Sequence, residues 1–295
     1  MPAADRKKVA LVTGASSGIG FATSIELAKR GYVVFAGARR LEPMARLRED
    51  YGVNIFKLDV TDLQSVKEAK SYIEKVTGTS YLDILFNNAG QICTMPATDV
   101  TDKQVEQCFE VNVFGAMRMV REFVPLLINA KGLVAFTGSI AGVNPFPFQS
   151  TYTATKAAIE SYASVLRIEL KPFGVKVINL ITGLVGTNIE DTRDLPETSL
   201  YNVPGMEESF EENRKSVTRN NPTPADVYAR QVVKDFENAK LGGSLHLYRG
   251  KMGFLLGFVA PLLPRTIHES TLIRSLKLDG PFEYIKKKYS SGTIA

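Results

Sequence analysis

The sequence predicts a single α/β domain built on a doubly wound parallel sheet, and three observations carry that expectation. Over the first 185 residues, short continuous apolar runs alternate with stretches of helical periodicity, as strands buried on both faces and their covering helices do. A glycine-rich turn stands between the first apolar run and the first helical stretch. The 295 residues are 44% hydrophobic and 23% charged, a balance that lets a chain of this length bury a large core. Right-handed crossovers between such strands give the doubly wound layer.

Val9–Val12 reads as the first strand, and a helix follows its glycine-rich turn from about Ile19 to Arg30. Tyr32–Ala36 is the second strand and Leu41–Tyr51 the next helix. Asn54–Leu58 and Leu82–Phe86 continue the alternation, with a helix over Leu63–Val76 between them. A long helical stretch, Lys103–Ile128, precedes the strand Gly132–Thr137; another, Thr151–Lys171, precedes the strand Val175–Leu180. The pattern then loosens. Residues 186–223 hold eight acidic and four basic side chains with few periodic apolar positions, which predicts a lid or a disordered connection. A helix over Ala225–Asn238 and a short strand at Leu245–Tyr248 close the sheet, so residues 8–249 form one domain and 250–295 a C-terminal extension.

Glycine and proline show neither period nor clustering, which excludes collagen-like and low-complexity sequence. Two cysteines, Cys93 and Cys108, cannot build a disulfide framework, and a reducing compartment is expected. His246 and His268 stand 22 residues apart without a cysteine nearby, so no metal site is expected. The net charge of +5 lies wholly in residues 249–295, which hold eight basic and three acidic side chains. An anionic partner is therefore sought there. Apolar residues interrupt these cations and no binding motif accompanies them, so nucleic acid is not expected. The opening MPAADRKK runs into the first strand without a separate apolar leader, and no secretory signal is expected. Met252–Leu263 is the strongest apolar stretch, but with Pro261 inside it falls short of the roughly 20 residues that span a bilayer. It reads either as a buried terminal segment or as an interfacial anchor.

The turn is TGASSGIG, Thr13–Gly20. Gly14, Gly18 and Gly20 allow the close backbone approach that a dinucleotide pyrophosphate needs, and Ser16, Ser17 and Ile19 bring the N–H donors of a helix start. The second strand ends GARR. An acidic residue there would grip a ribose 2′-OH and repel a 2′-phosphate; Ala38 leaves room, and Arg39 and Arg40 offer cations. NADPH is thus expected over NADH, the alternative being two solvated arginines that open a helix. NNAG ends the fourth strand at the carboxyl edge, where Asn88 can tie the backbone and the small Ala89–Gly90 pair admits a ribose.

Ser139 ends the fifth strand, and Tyr152 and Lys156 lie one turn apart on one face of the next helix. A lysine cation beside a phenol favours phenolate, lowering a pKa of about 10 toward working pH, as a proton donor to a developing alkoxide needs. The serine hydroxyl can hold the substrate oxygen in line.

Together these motifs resemble the classical short-chain dehydrogenase/reductase family, with its Rossmann-like fold, over about Lys8–Arg249. TGxxxGxG, NNAG, the asparagine of VNVFG (Asn112), and Ser followed by YxxxK match in order and context. The resemblance implies a catalytic tetrad of Asn112, Ser139, Tyr152 and Lys156. Tyr152 would protonate a carbonyl oxygen while the nicotinamide reduces its carbon, Lys156 would bind the nicotinamide ribose, and Asn112 would hold a water of the proton relay. It also implies adenine contacts at Asp59 and Val60, and carboxamide contacts at Gly183 and Thr187. One departure stands out, because Thr182–Gly183 replaces the family's Pro-Gly. The long fourth and fifth helices commonly pair between subunits in this family, which implies a homodimer or tetramer.

Five stretches narrow the resemblance to a fungal NADPH-dependent branch: Ala38–Met44, Asn87–Thr94, Val105–Gly115, Phe136–Val143 and Leu195–Asn202. That branch implies reduction of the ketone of 1-acyldihydroxyacetone phosphate to 1-acylglycerol 3-phosphate, a step of phosphatidic acid and glycerolipid biosynthesis. It also implies a place on the cytoplasmic face of the endoplasmic reticulum and on lipid droplets. The residues agree in part. Ile92, Phe146, Pro147 and Phe148 offer apolar surface for an acyl chain, or ordinary packing; Arg193, Arg214 and Lys215 are phosphate partners, or solvated charges. The tail, 250–295, suits an anionic membrane surface, where each cation adds about 1 kcal/mol. Retinal or steroid carbonyl reduction is the alternative within the family. Gly14–Gly18 also fits the G-x-S-x-G of a lipid ester hydrolase with Ser16 as nucleophile, for which only His246 and His268 could serve as base. A cofactor-sensing or membrane scaffold protein without catalysis is the third reading.

Overall fold

Strands of unbroken Val, Leu, Ile and Phe are satisfied only by burial on both faces, and the computed structural model, which describes residues 6–189 and 191–290, places them so. The strands are β1 (Val9–Thr13), β2 (Val33–Ala38), β3 (Asn54–Lys57), β4 (Ile84–Asn87), β5 (Leu133–Thr137), β6 (Lys176–Thr182) and β7 (His246–Arg249). They form one parallel sheet in the order β3-β2-β1-β4-β5-β6-β7. Successive residues serve opposite layers. Val9, Leu11, Leu85, Val134 and Phe136 enter one core, while Ala10, Val12, Ile84, Phe86 and Ala135 enter the other.

On one side lie α1 (Gly18–Lys29), α2 (Ala45–Tyr51) and α8 (Ala225–Asn238), which bury Leu27, Leu47, Val232 and Phe236. On the other lie α3 (Leu63–Thr77), α4 (Asp102–Phe109), α5 (Gly115–Ala130) and α6 (Ser150–Leu170). Val66, Met119, Phe123, Ile159 and Leu166 are their core residues. The chain builds β1 to β3 outward in one direction, then returns past β1 to β4. The turns after β1 and β4 therefore diverge and leave a crevice at their carboxyl ends.

Two elements differ from the sequence expectation. The long fourth helix is not uniform: a π-helical turn, Glu110–Phe114, joins α4 to α5 and carries Asn112. The lid contains a helix of its own, α7 (Met206–Arg219), whose apolar positions are few because it needs only Met206 and Phe210 inward. The tail continues through a π turn (Leu255–Val259), a short 3-10 turn (Ala260–Leu262), α9 (Arg265–Ser275) and α10 (Asp279–Lys288). Among the described residues no helix is long and apolar enough to cross a membrane. Leu276 and Leu278 of the tail pack with Phe148, Val203, Met206 and Phe210 in a third apolar cluster, which fastens lid to tail.

Candidate active site

The turn after β1 is shaped by what lies against it. Gly14 has φ +66°, and a Cβ there would stand 2.7 Å from the Cα of Ala89. A Cβ on Gly20 would meet Asn88 Nδ2 and the Gly14 carbonyl, each at 2.6 Å. Thr13 Oγ1 accepts the N–H groups of Asn88 and Ala89 at 3.0 and 2.9 Å, and Asn88 Nδ2 donates back to the Thr13 carbonyl at 3.0 Å. Thr137 Oγ1 donates to Asn88 Oδ1 at 3.1 Å. The ends of β1, β4 and β5 are thus one cross-tied rim, with the start of α1 opening beside it. Ser17 is the residue before α1, and its side chain makes no capping bond. The first N–H groups of that helix open onto the turn, an arrangement that suits a pyrophosphate.

Arg39 and Arg40 are exposed after β2, with no acidic partner among the described residues, while Ala38 is buried. Asp59 Oδ1 accepts from the N–H and hydroxyl of Thr61, and Val60 is buried. Thr187 closes the other wall, since a Cβ on Gly18 would stand 3.0 Å from its methyl. These residues fit a dinucleotide carrying an extra phosphate on its adenosine ribose.

Ser139 follows β5, and its Oγ accepts the N–H of Ala141 at 3.0 Å, which fixes the hydroxyl at the rim. Lys156 is buried, and its Nζ donates to the Thr137 carbonyl at 2.8 Å. Its other two N–H donors have no acceptor among the described residues, so they suit ribose hydroxyls. The ammonium lies 5.6 Å from the centre of the Tyr152 ring. Burial brings the Lys156 pKa down to about 8. Burial pushes the Tyr152 phenol up to about 12, with the neighbouring Ser139 hydroxyl opposing part of the rise. This corrects the sequence expectation of a lowered phenol pKa, because the cost of enclosing a phenolate dominates. The phenol is therefore held protonated, ready to give a proton to an oxygen gaining charge.

Asn112 sits in the π turn with its carboxamide engaged on both sides. Oδ1 accepts the Gln91 N–H at 2.8 Å, and Nδ2 donates to the Gln91 carbonyl at 2.9 Å and to Thr155 Oγ1 at 3.0 Å. Its geometry is that of a clamp between the NNAG loop and α6. Thr155, which the sequence reading passed over, is the bridge: its hydroxyl also donates to the Tyr152 carbonyl at 2.7 Å. Its place beside Lys156 was the available signal. Asp191 was also missed. It is buried in the lid, accepts the Thr94 N–H at 2.6 Å and holds Arg193 Nε at 2.7 Å.

On the substrate side, Ile92, Phe146 and Pro147 are half-buried. Phe148 takes the packing alternative, edge-to-face with Tyr201 and tilted against Phe210 under the lid. Arg193 is paired with Asp191, and Arg214 with Asp194 and Glu211, so neither is a simple solvated charge; the Lys215 side chain lies outside the described residues. Thr182 Oγ1 finds Tyr228 Oη at 2.7 Å, and a Cβ on Gly183 would collide with the Lys251 carbonyl. His246 lies on β7, four strands from the β1 that precedes Ser16, a separation of about 19 Å at sheet spacing. It pairs with Glu160 at 3.7 Å, so it forms no nucleophile–base pair with Ser16.

Known proteins are similar to this chain in sequence and fold. Residues 8–197 match the model of the short chain dehydrogenase family. The chain is 47% identical over 285 residues to the NADPH-dependent 1-acyldihydroxyacetone phosphate reductase of Saccharomyces cerevisiae, covering 96% of this chain and 95% of that protein. A crystal structure of a short-chain dehydrogenase from Streptomyces avermitilis matches with a TM-score of 0.73 at 28% identity, over 99% of this chain and 100% of that one. An alcohol dehydrogenase from the archaeon Thermococcus sibiricus, complexed with 5-hydroxy-NADP, matches with a TM-score of 0.65 at 25% identity, over 83% and 97%. A cross-tied glycine turn, a Ser–Tyr–Lys group on one rim and these likenesses lead to the same place: the chain belongs to the short chain dehydrogenase family.

Proposed function

We propose that this protein reduces the ketone of 1-acyldihydroxyacetone phosphate to 1-acylglycerol 3-phosphate. It is an NADPH-dependent oxidoreductase of its family. The observation that carries the substrate reading is the likeness to the yeast reductase, which runs through lid and tail as well as the sheet. The chemistry rests on a protonated phenol beside a hydroxyl and a buried ammonium. When bound, the nicotinamide supplies hydride to the carbonyl carbon. Ser139 Oγ orients the ketone oxygen, and Tyr152 Oη gives it a proton as its charge develops. Lys156 holds the ribose through its two free donors and stabilises the phenolate that Tyr152 leaves. Asn112 and Thr155 keep the NNAG loop and α6 in register. Arg193, fixed by Asp191 at the lid, is the cation offered to the substrate phosphate.

We also propose that the tail meets a lipid surface, which would bring the enzyme to the cytoplasmic face of the endoplasmic reticulum and to lipid droplets. Phe254, Leu255, Phe258, Leu262, Leu263 and Ile267 are exposed in one short segment next to Lys251 and Arg265. Val165 and Ile168 of α6 and the following Phe173 are exposed as well, which supports pairing of subunits. The test of the substrate reading is a steady-state comparison of acyldihydroxyacetone phosphate, retinal and a ketosteroid, each with NADPH and NADH. The acyl phosphate with NADPH is expected to give the highest kcat/KM. A preference for retinal or steroid overturns the substrate and leaves the family standing.

A further inference from the structure

The last residue of β6 carries a buried hydroxyl pair that the chemistry above does not use. Thr182 Oγ1 lies 3.1 Å from the Leu180 carbonyl and 2.7 Å from Tyr228 Oη. A threonine hydroxyl has one proton; given to Leu180, it leaves Tyr228 as the donor in the second bond. Tyr228 stands on α8 with no exposed surface, and burial raises its phenol pKa well above the ordinary value. So large a phenol, wholly enclosed, has been given one polar partner, at the point where the strand ends.

The chain that leaves this point is held by its main chain on both sides. Gly183 N donates to the Arg249 carbonyl at 2.8 Å, and Leu184 exchanges two hydrogen bonds with Lys251. From the other side Thr223 N donates to Leu184, and Gly186 N to Thr223. The segment then reaches Thr187, which packs against Gly18 of the glycine turn. Residues 183–187 are therefore a wall of the cofactor cleft, and the Thr182–Tyr228 pair anchors its start. Proline would make this bend stiff by its ring alone. Threonine needs a partner to do so.

We infer that Tyr228 is a positioning residue: through Thr182 it fixes the Gly183–Thr187 wall against the nicotinamide end of NADPH. The inference rests on NADPH as the cofactor, so both it and that reading are tested by direct binding. Adenosine 2′,5′-bisphosphate ends before the nicotinamide and probes the other half of the cleft. Tyr228→Phe is expected to weaken NADPH binding, read by nucleotide fluorescence, about three- to tenfold, the scale of one hydrogen bond. Binding of the bisphosphate is expected to stay within twofold of the unaltered chain. Thr182→Val removes the acceptor instead and is expected to give the same split. Thr182→Pro placed in the Tyr228→Phe chain is expected to restore NADPH binding, since the ring replaces the bond. Equal weakening of both ligands, unchanged NADPH binding, or no rescue by proline overturns the inference. An unaltered chain that binds neither ligand overturns the cofactor reading beneath it.

Discussion

The rim of the sheet and the lid are held together by different means. At the rim, Thr13, Asn88, Asn112, Thr155 and Lys156 bond to main-chain groups or to one another, and Asn112 and Lys156 do so while buried. Such bonds fix direction as well as distance, and breaking one leaves a polar group unmet. Over the lid a few directional bonds remain, among them Asp191 on the Thr94 N–H and Asn213 on the Pro147 carbonyl, but many ties are ion pairs, several of them exposed: Lys277 with Glu208, Arg214 with Asp194, and Arg219 with Glu212. Exposed pairs contribute at most about 1 kcal/mol each. What keeps the lid down is the apolar cluster of Phe148, Met206, Phe210, Leu276 and Leu278. The rim sets atoms for chemistry. The lid covers them largely by packing.

The sharpest way to break that contrast is at the rim. Tyr152→Phe keeps the ring and loses the proton donor, so kcat is expected to fall about a thousandfold, within the range for general acid catalysis. NADPH binding is expected to change less than twofold. Turnover within tenfold of the unaltered enzyme would sink the assignment. A pH profile probes the same rim. The Lys156 pKa lies at about 8, below its ordinary 10.5, so the ammonium is present below pH 8 and lost above it. The kcat/KM for reduction is then flat below pH 8 and falls about tenfold per unit beyond it. Stability moves the other way. Burying the ammonium costs the folded state most below pH 8, and that cost is relieved between about 8 and 10.5, where only the unfolded lysine stays charged. A rate that holds level to pH 10 removes Lys156 from the mechanism.

A smaller effect is expected at Arg39 and Arg40. They are exposed, with no acidic partner among the described residues, so their charge is screened, and replacing both with alanine should weaken NADPH binding about tenfold. NADH binding should not change. Parallel loss with both nucleotides would assign the two arginines to the helix start alone.

How far the sequence could be read follows the same division. The strands came within a residue or two, Val9–Val12 against Val9–Thr13 and Gly132–Thr137 against Leu133–Thr137, because a central strand buried on both faces is apolar almost throughout. Thr13–Gly20, Asn87–Gly90, Tyr152 and Lys156 stood out in the sequence because each pattern is confined to a few residues of chain. The π turn at Glu110–Phe114 was not, since one extra residue per turn leaves the local pattern helical. Nor was the Asn112 clamp, whose partner Gln91 is 21 residues away. The direction of the Tyr152 shift depends on enclosure, and spacing does not report it. In the lid, α7 has only Met206 and Phe210 to announce it, and the residues that complete their cluster lie some 70 positions later.

Leu278→Ala takes the comparison to the lid itself. Leu278 has no exposed surface and packs among Phe148, Met206 and Phe210, so truncating it leaves a cavity costing about 2–5 kcal/mol. The two large cores on either side of the sheet do not include this cluster. The loss should therefore appear as local opening of lid and tail, seen as faster proteolysis within 186–223, while the main melting transition moves little. KM for the ketone substrate should rise several-fold, with NADPH binding unchanged, because the rim keeps its own bonds. Leu11→Ala, at the centre of β1, is the control, and it should lower the main transition instead. If Leu278→Ala weakens NADPH binding as much as it raises KM, lid and rim are one cooperative unit and the division drawn between them fails.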